Sequence, residues 1–183
     1  YRAQIEPIKR LVVIALAAGL FYFAGTSGSA MWETWLLFKN SISFGVKDPQ
    51  FNMDISFFAF RLPFYQTVIA WAISTLVLAI IASAVVHYLY GGIRLQVQED
   101  RTTVAARVQL SVLLGGVVLM KAVAYWFDRY HLALKESKLI TGLTYTDVNA
   151  TLPAKAILAA IAVVCALLFF ANIVRRSWVL PAA

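Results

Sequence analysis

Residues 62–93 read LPFYQTVIAWAISTLVLAIIASAVVHYLYGGI, a run of 32 residues without Asp, Glu, Lys or Arg. At a rise of about 1.5 Å per residue, about 20 apolar residues form a helix that crosses a hydrocarbon core about 30 Å thick. Pro63 suits the first turn of such a helix, and Gly91 and Gly92 are typical of its end. The run therefore predicts a membrane span over residues 64–90.

Three further apolar runs have the same character. They lie between Arg10 and Glu33, between Lys155 and Arg175, and around Lys121 in the third quarter of the chain. The pattern predicts an all-α fold, a polytopic transmembrane helical bundle. Its spans are expected at about 11–31, 64–90, 104–127 and 156–174, with long outer loops at 32–63 and 128–155.

The composition of the 183 residues agrees with a membrane protein, since 61% are hydrophobic and only 14% are charged. Soluble domains carry about 25% charged residues, so a soluble enzyme, a coiled coil and a disordered tail are excluded. The net charge of +7 arises from basic residues at the ends of apolar runs. Lipid headgroups are their nearer partner, and we expect a lipid bilayer and no nucleic acid. Cys165, the single cysteine, permits no disulfide within the chain.

The distribution of Lys and Arg predicts the orientation. With the first residues inside, the inner segments hold 8 Lys and Arg in 36 residues, whereas the outer loops hold 7 in 60. The positive-inside rule then places the N-terminus in the cytoplasm. Because the chain starts without methionine and residues 177–183 open another apolar segment, we expect it to be part of a longer protein.

The first outer loop is rich in aromatic residues. Trp32, Trp35, Leu36 and Lys39 have helical spacing, which predicts an interfacial helix. Residues 44–64 follow with six Phe and two Asp. One interpretation is a surface that binds lipid or another subunit; the other is an amphipathic loop whose carboxylates cap turns, one of them facing water or Arg61. The candidate surface residues are Trp32, Trp35, Asp48, Asp54, Phe57 and Arg61.

The third span contains a charge well inside its apolar run. Lys121, Tyr125 and Asp128 follow at i, i+4 and i+7 and form one stripe of a helix. One hypothesis is a polar path for a proton, an ion or a headgroup. The alternative is that Lys121 extends to the membrane surface.

Small residues four positions apart predict helix-packing faces at Ala24/Gly28, Gly25/Ser29, Ser111/Gly115 and Ala162/Ala166. His87 is expected to be a simple interfacial histidine. The two histidines are 44 positions apart without a neighbouring ligand pattern, so the sequence predicts no metal site, and no motif indicates a cofactor or a catalytic residue.

Four stretches carry a resemblance to a known family. They are 48–64 (DPQFNMDISFFAFRLPF), 90–93 (YGGI), 125–130 (YWFDRY) and 145–150 (YTDVNA). Together they resemble UPF0182, an uncharacterised family of large multi-pass membrane proteins known mostly from actinobacteria. The resemblance implies about seven membrane helices followed by a large extracytoplasmic domain, with this chain in the middle of the membrane region. It implies no reaction.

Three functional hypotheses follow for a protein of the bacterial plasma membrane. The first is a non-enzymatic module that anchors an extracytoplasmic domain and works with envelope protein subunits. The second is a transporter or lipid-handling domain that uses Lys121, Tyr125 and Asp128. The third is a membrane enzyme that uses Asp128 and His131.

Overall fold

The computed structural model describes residues 2–94, 102–135 and 142–175, and the regular elements within these ranges are helical. The all-α prediction is confirmed. Two isolated β-bridges join Lys47 with Asp54 and Ile93 with Thr102. The α-helices are α1 (Arg2–Ala30), α2 (Trp32–Lys39), α3 (Leu62–Leu89), α4 (Val104–His131) and α5 (Leu152–Arg175).

Four helical segments are long and apolar enough to cross a membrane: Ile8–Ser29, Phe57–Leu89, Val104–Leu134 and Asp147–Ala171. The 28 residues of α4 alone extend about 42 Å. The short helix predicted at the start of the first long connection (residues 32–63) is α2, with eight residues and none of them buried. The second long connection joins the end of α4 at His131 to the start of α5 at Leu152.

The chain divides into two compact units. Unit 1 comprises residues 1–29, 74–117 and 165–183, and it contains the predicted small-residue packing of α4. Ser111 is 2% exposed, and a Cβ at Gly115 would lie 3.0 Å from a ring carbon of Phe170. Nε2 of His87 lies 2.9 Å from Oε1 of Gln109 and connects α3 to α4. The absence of a side chain at Gly115 thus permits close contact between α4 and α5.

Helix α3 ends as the two glycines predict. Gly91 has a φ of +75°, in the left-handed region that glycine enters without strain, and the Gly92 N–H donates to the carbonyl of His87.

Helix α1 buries no residue between positions 8 and 29. Phe21 is 82% exposed, and the pairs Ala24/Gly28 and Gly25/Ser29 are exposed as well. The prediction that these pairs form packing faces is therefore wrong for the part of the chain that the structure describes. A helix that is apolar on all sides is suited to lipid or to further protein segments.

Unit 2 comprises residues 30–73 and 118–164, and in it α3 and α5 begin in the same way. A π-helical turn precedes each helix, Phe57–Arg61 before α3 and Asp147–Thr151 before α5. The backbone N–H of Leu62 donates to the carbonyl five residues earlier, and that of Leu152 does the same. These leucines are 0% and 6% exposed and are among the most buried side chains of the described residues.

A proline explains the wide turns. Pro63 and Pro153 each follow the buried leucine directly. In a regular α-helix, a proline ring collides with the carbonyl four residues earlier and cannot donate a backbone hydrogen bond. A π turn relocates these hydrogen bonds, so the chain enters both helices without a break.

Candidate functional site

The first long connection contains a tight hairpin. The Asp48 N–H donates to the carbonyl of Met53 (2.8 Å), and the carboxylate of Asp48 accepts hydrogen bonds from the N–H groups of Gln50 (3.0 Å) and Phe51 (2.8 Å). Asn52 has a φ of 53°, a conformation that Asn tolerates in turns. Asp48 thus caps the turn, as one interpretation of the sequence predicts.

Asp54 closes the hairpin and caps the chain before α3. Its carboxylate accepts hydrogen bonds from the Ser43 hydroxyl and from the N–H groups of Phe44 (3.1 Å), Gly45 (3.0 Å) and Ser56 (2.8 Å). Hydrogen bonds from Ser43 and from the Ser56 backbone hold the pKa of Asp54 well below its ordinary value. All of these hydrogen bonds join Asp54 to other residues of the first long connection.

Of the two positions expected for the Asp54 carboxylate, facing water or facing Arg61, the second is wrong. The Arg61 side chain is exposed, and its Nε donates instead to the hydroxyl of Ser41 at 3.2 Å. The oxygens of the half-buried Asp54 accept hydrogen bonds from Ser43 and from backbone N–H groups nearby in the chain.

Rings from the first long connection and from α3 and α4 form one connected cluster, the aromatic cap. Tyr130, at the C-terminal end of α4, lies 5.0 Å from the Phe51 ring and 5.5 Å from the Phe57 ring, between centroids. Aromatic pairs in this range stabilise by about 0.5–1.5 kcal/mol each beyond the area they bury. The cap consists of Trp35, Phe38, Phe51, Phe57, Phe58, Phe64, Tyr65, Phe127 and Tyr130.

Two of the three aromatic candidate residues of the first connection lie in the aromatic cap. Trp35 and Phe57 belong to the aromatic cap, whereas the Trp32 side chain is 64% exposed. Sequence reasoning did not identify Tyr130 as the ring that joins the first connection to α4. Helical spacing alone could not reveal that contact, because its partners are some 70 residues away.

Asp147 is a buried carboxylate that sequence reasoning missed. It is 3% exposed, accepts hydrogen bonds from the N–H (3.1 Å) and hydroxyl (2.7 Å) of Thr144, and pairs with Nζ of Lys135 at 3.2 Å. The Asp147 N–H donates back to the Thr144 hydroxyl at 3.2 Å. This reciprocal arrangement is a capping box, and the pattern Thr-x-x-Asp before an apolar run was its signal.

The stripe of Lys121, Tyr125 and Asp128 lies on α4. Lys121 is exposed, Tyr125 is half-buried, and Asp128 forms an ion pair with Nζ of Lys155 at 3.1 Å. Sequence reasoning did not identify Lys155 as the ion-pair partner of Asp128; it used Lys155 only as the boundary of the predicted fourth span. Successive residues of an α-helix are rotated by about 100° around its axis. The stripe is therefore rotated by about 150° around the axis of α4 from an apolar groove that α4 forms with α5.

That groove has a volume of about 330 Å³ and is lined by apolar side chains. Trp126 stands at one end of it, with the guanidinium of Arg129 4.5 Å above the indole ring. The lining residues are Leu119, Ala122, Val123 and Trp126 of α4 and Ala156, Ala159, Ala160 and Val163 of α5.

Residues with metal or nucleophilic chemistry are not clustered. In residues 2–94, 102–135 and 142–175, no three His, Cys, Asp or Glu side chains form a group that could hold a metal ion. His131 is exposed, and its predicted catalytic partner Asp128 is paired with Lys155.

Known proteins resemble this chain over its whole length. The model of the "Uncharacterised protein family (UPF0182)" matches residues 1–183. The "UPF0182 protein SCO5204" of Streptomyces coelicolor is 50% identical over 99% of this chain and 19% of its own length. A "UPF0182 protein" of Thermobifida fusca is 48% identical over 99% of this chain and 18% of its own length.

The chain thus spans less than a fifth of the length of these relatives. No solved structure matches it. With a family match over all 183 residues and relatives near half identity, the chain belongs to the uncharacterised protein family UPF0182.

Proposed function

We propose that the chain is part of the membrane domain of a bacterial plasma-membrane protein and that it anchors and positions an extracytoplasmic domain. Four helical segments have the length and composition for membrane spans. The observation that carries the proposal is the aromatic cap, which joins the first long connection to the C-terminal end of α4 through Tyr130. A connection fixed to the helices in this way supports a domain outside the membrane.

Three carboxylates of unit 2 support the same proposal. Asp54 and Asp147 each cap the chain before a span, and Asp128 is paired with Lys155. Asp147 is buried, and a buried polar group whose hydrogen bonds are satisfied stabilises one conformation. A fixed conformation suits a membrane anchor, whereas a transporter has to change conformation during its cycle.

The test uses the full-length protein in lipid nanodiscs, with one spin label on the connection at Asn40→Cys and another in the extracytoplasmic domain. Tyr130→Ala is expected to broaden the measured distance distribution, because the ring that joins the first connection to α4 is lost. The control is Tyr145→Ala, since that side chain is 85% exposed. A distribution that is equally narrow in both variants and the wild type would contradict the proposal.

A polar path on α4 is the second candidate function. The observation in its favour is Lys121, which is exposed on a long apolar helix and has no ion pair among the described residues. For an anchor, Lys121→Met should lower the free energy of unfolding by less than about 1 kcal/mol and leave growth unchanged. Normal insertion with loss of growth in a complementation assay would favour the path.

A further inference from the structure

The groove between α4 and α5 is short. It extends from Leu119 to Trp126 along α4, which is about 10 Å at 1.5 Å per residue. Its volume is about 330 Å³, and a flexible chain of apolar atoms fits a groove of this length and volume. The volume also falls within the range of small-ligand sites, about 300–1,000 Å³.

The end of the groove at Trp126 carries an uncompensated positive charge. Arg129 stacks on Trp126, which is itself 47% exposed, and in the part of the chain that the structure describes it pairs with no carboxylate. Its Nε is buried without a hydrogen-bond partner. Asp128, the neighbouring carboxylate, is already paired with Lys155.

These two features together match one kind of molecule. An apolar groove is complementary to a hydrocarbon chain. An unpaired guanidinium at its end is complementary to an anion such as a phosphate, to which Arg donates two parallel hydrogen bonds. Trp and Arg side by side are typical of the headgroup level of a membrane. A bilayer lipid with a net negative headgroup combines both requirements in one molecule.

We propose that the groove holds one acyl chain of an anionic phospholipid whose phosphate binds Arg129. The inference rests on the membrane location proposed above. It adds a specific lipid site, formed by the α4 and α5 residues that line the groove, on the side of α4 away from the stripe of Lys121, Tyr125 and Asp128.

The experiment uses the full-length protein in detergent, with phosphatidylglycerol or phosphatidylcholine of identical acyl chains added and bound lipid counted by native mass spectrometry. The wild type is expected to retain phosphatidylglycerol about tenfold better than phosphatidylcholine, because the choline ammonium offsets the charge of the phosphate that both lipids carry and weakens its attraction to Arg129. Arg129→Gln should remove this preference and leave weak binding of both lipids, whereas Arg129→Lys should restore part of it.

Ala160→Phe is expected to fill the groove and reduce retention of phosphatidylglycerol about tenfold. The matched control is Val164→Phe, which adds a ring to the same helix one turn on, at a side chain that is 57% exposed and does not line the groove. If Ala160→Phe does not fold, Ala156→Leu fills the same groove with less bulk.

Equal retention in the groove-filling variant, the control and the wild type would overturn the inference. So would an undiminished preference for phosphatidylglycerol in Arg129→Gln. Resistance of the wild type to extraction from membranes by alkaline carbonate is measured in parallel. Extraction would contradict the membrane location itself, whereas a resistant protein without lipid preference would contradict only the site.

Discussion

Among single residues, Asp54 links the ionisation state of the protein to the conformation of the first long connection. Its folded-state pKa lies below the value of about 3.9 in an unfolded chain, because Ser43 and the backbone of Ser56 donate to the charged form. A lowered pKa means that this carboxylate stabilises the fold above pH 4. The contribution is lost as the pH falls from about 4 toward the folded-state pKa.

We therefore expect Asp54→Asn to expose the connection at neutral pH. Limited proteolysis should cleave the variant between residues 40 and 54 several-fold faster than the wild type at pH 7, and the difference should shrink as the pH falls below about 4. Glu33→Gln is the control, since Glu33 is exposed on α2. Equal cleavage of both variants at pH 7 would contradict the capping role of Asp54.

At the scale of elements, the entries to α3 and α5 depend on a buried leucine between a π turn and a proline. Leu62 is 0% exposed, so Leu62→Ala leaves a cavity and is expected to lower the free energy of unfolding by about 2–4 kcal/mol. Leu158→Ala, at a side chain that is 44% exposed, should cost less than about 1 kcal/mol.

Reversible unfolding in mixed micelles measures both free energies. A cost at Leu62 no greater than that at Leu158 would mean that the entry to α3 collapses around the missing side chain. Leu152→Ala tests the second entry, where the same effect is expected because that leucine is 6% exposed.

At the scale of the whole molecule, the alternation of basic residues predicts which segments share a side of the membrane. In a Cys165→Ser background, Lys47→Cys is expected to react with an impermeant maleimide in intact cells. Arg94→Cys is expected to react only after permeabilisation, because residues 91–107 belong to the denser basic segments. Both positions are exposed, so access to the side chain is matched. The opposite labelling pattern would reverse the orientation.

The sequence by itself determined the helical class, the four long apolar segments, the short helix before Lys39 and the family. These features depend on composition, on runs without charge and on local spacing. All three can be read from the sequence without knowledge of the fold. The end of α3 at Gly91 and the turn capped by Asp48 are local in the same sense, since their hydrogen bonds join residues a few positions apart.

Only the tertiary structure decided the partners over long sequence separations. Tyr130 meets Phe51 across 79 positions, Asp128 meets Lys155 across 27, and the α4–α5 groove requires the depth and rotation of two helices. The spacing of polar residues on one helix does not predict which residues of another helix contact them. Which groups meet is determined by the packing of helices against each other, and that packing depends on the whole chain at once.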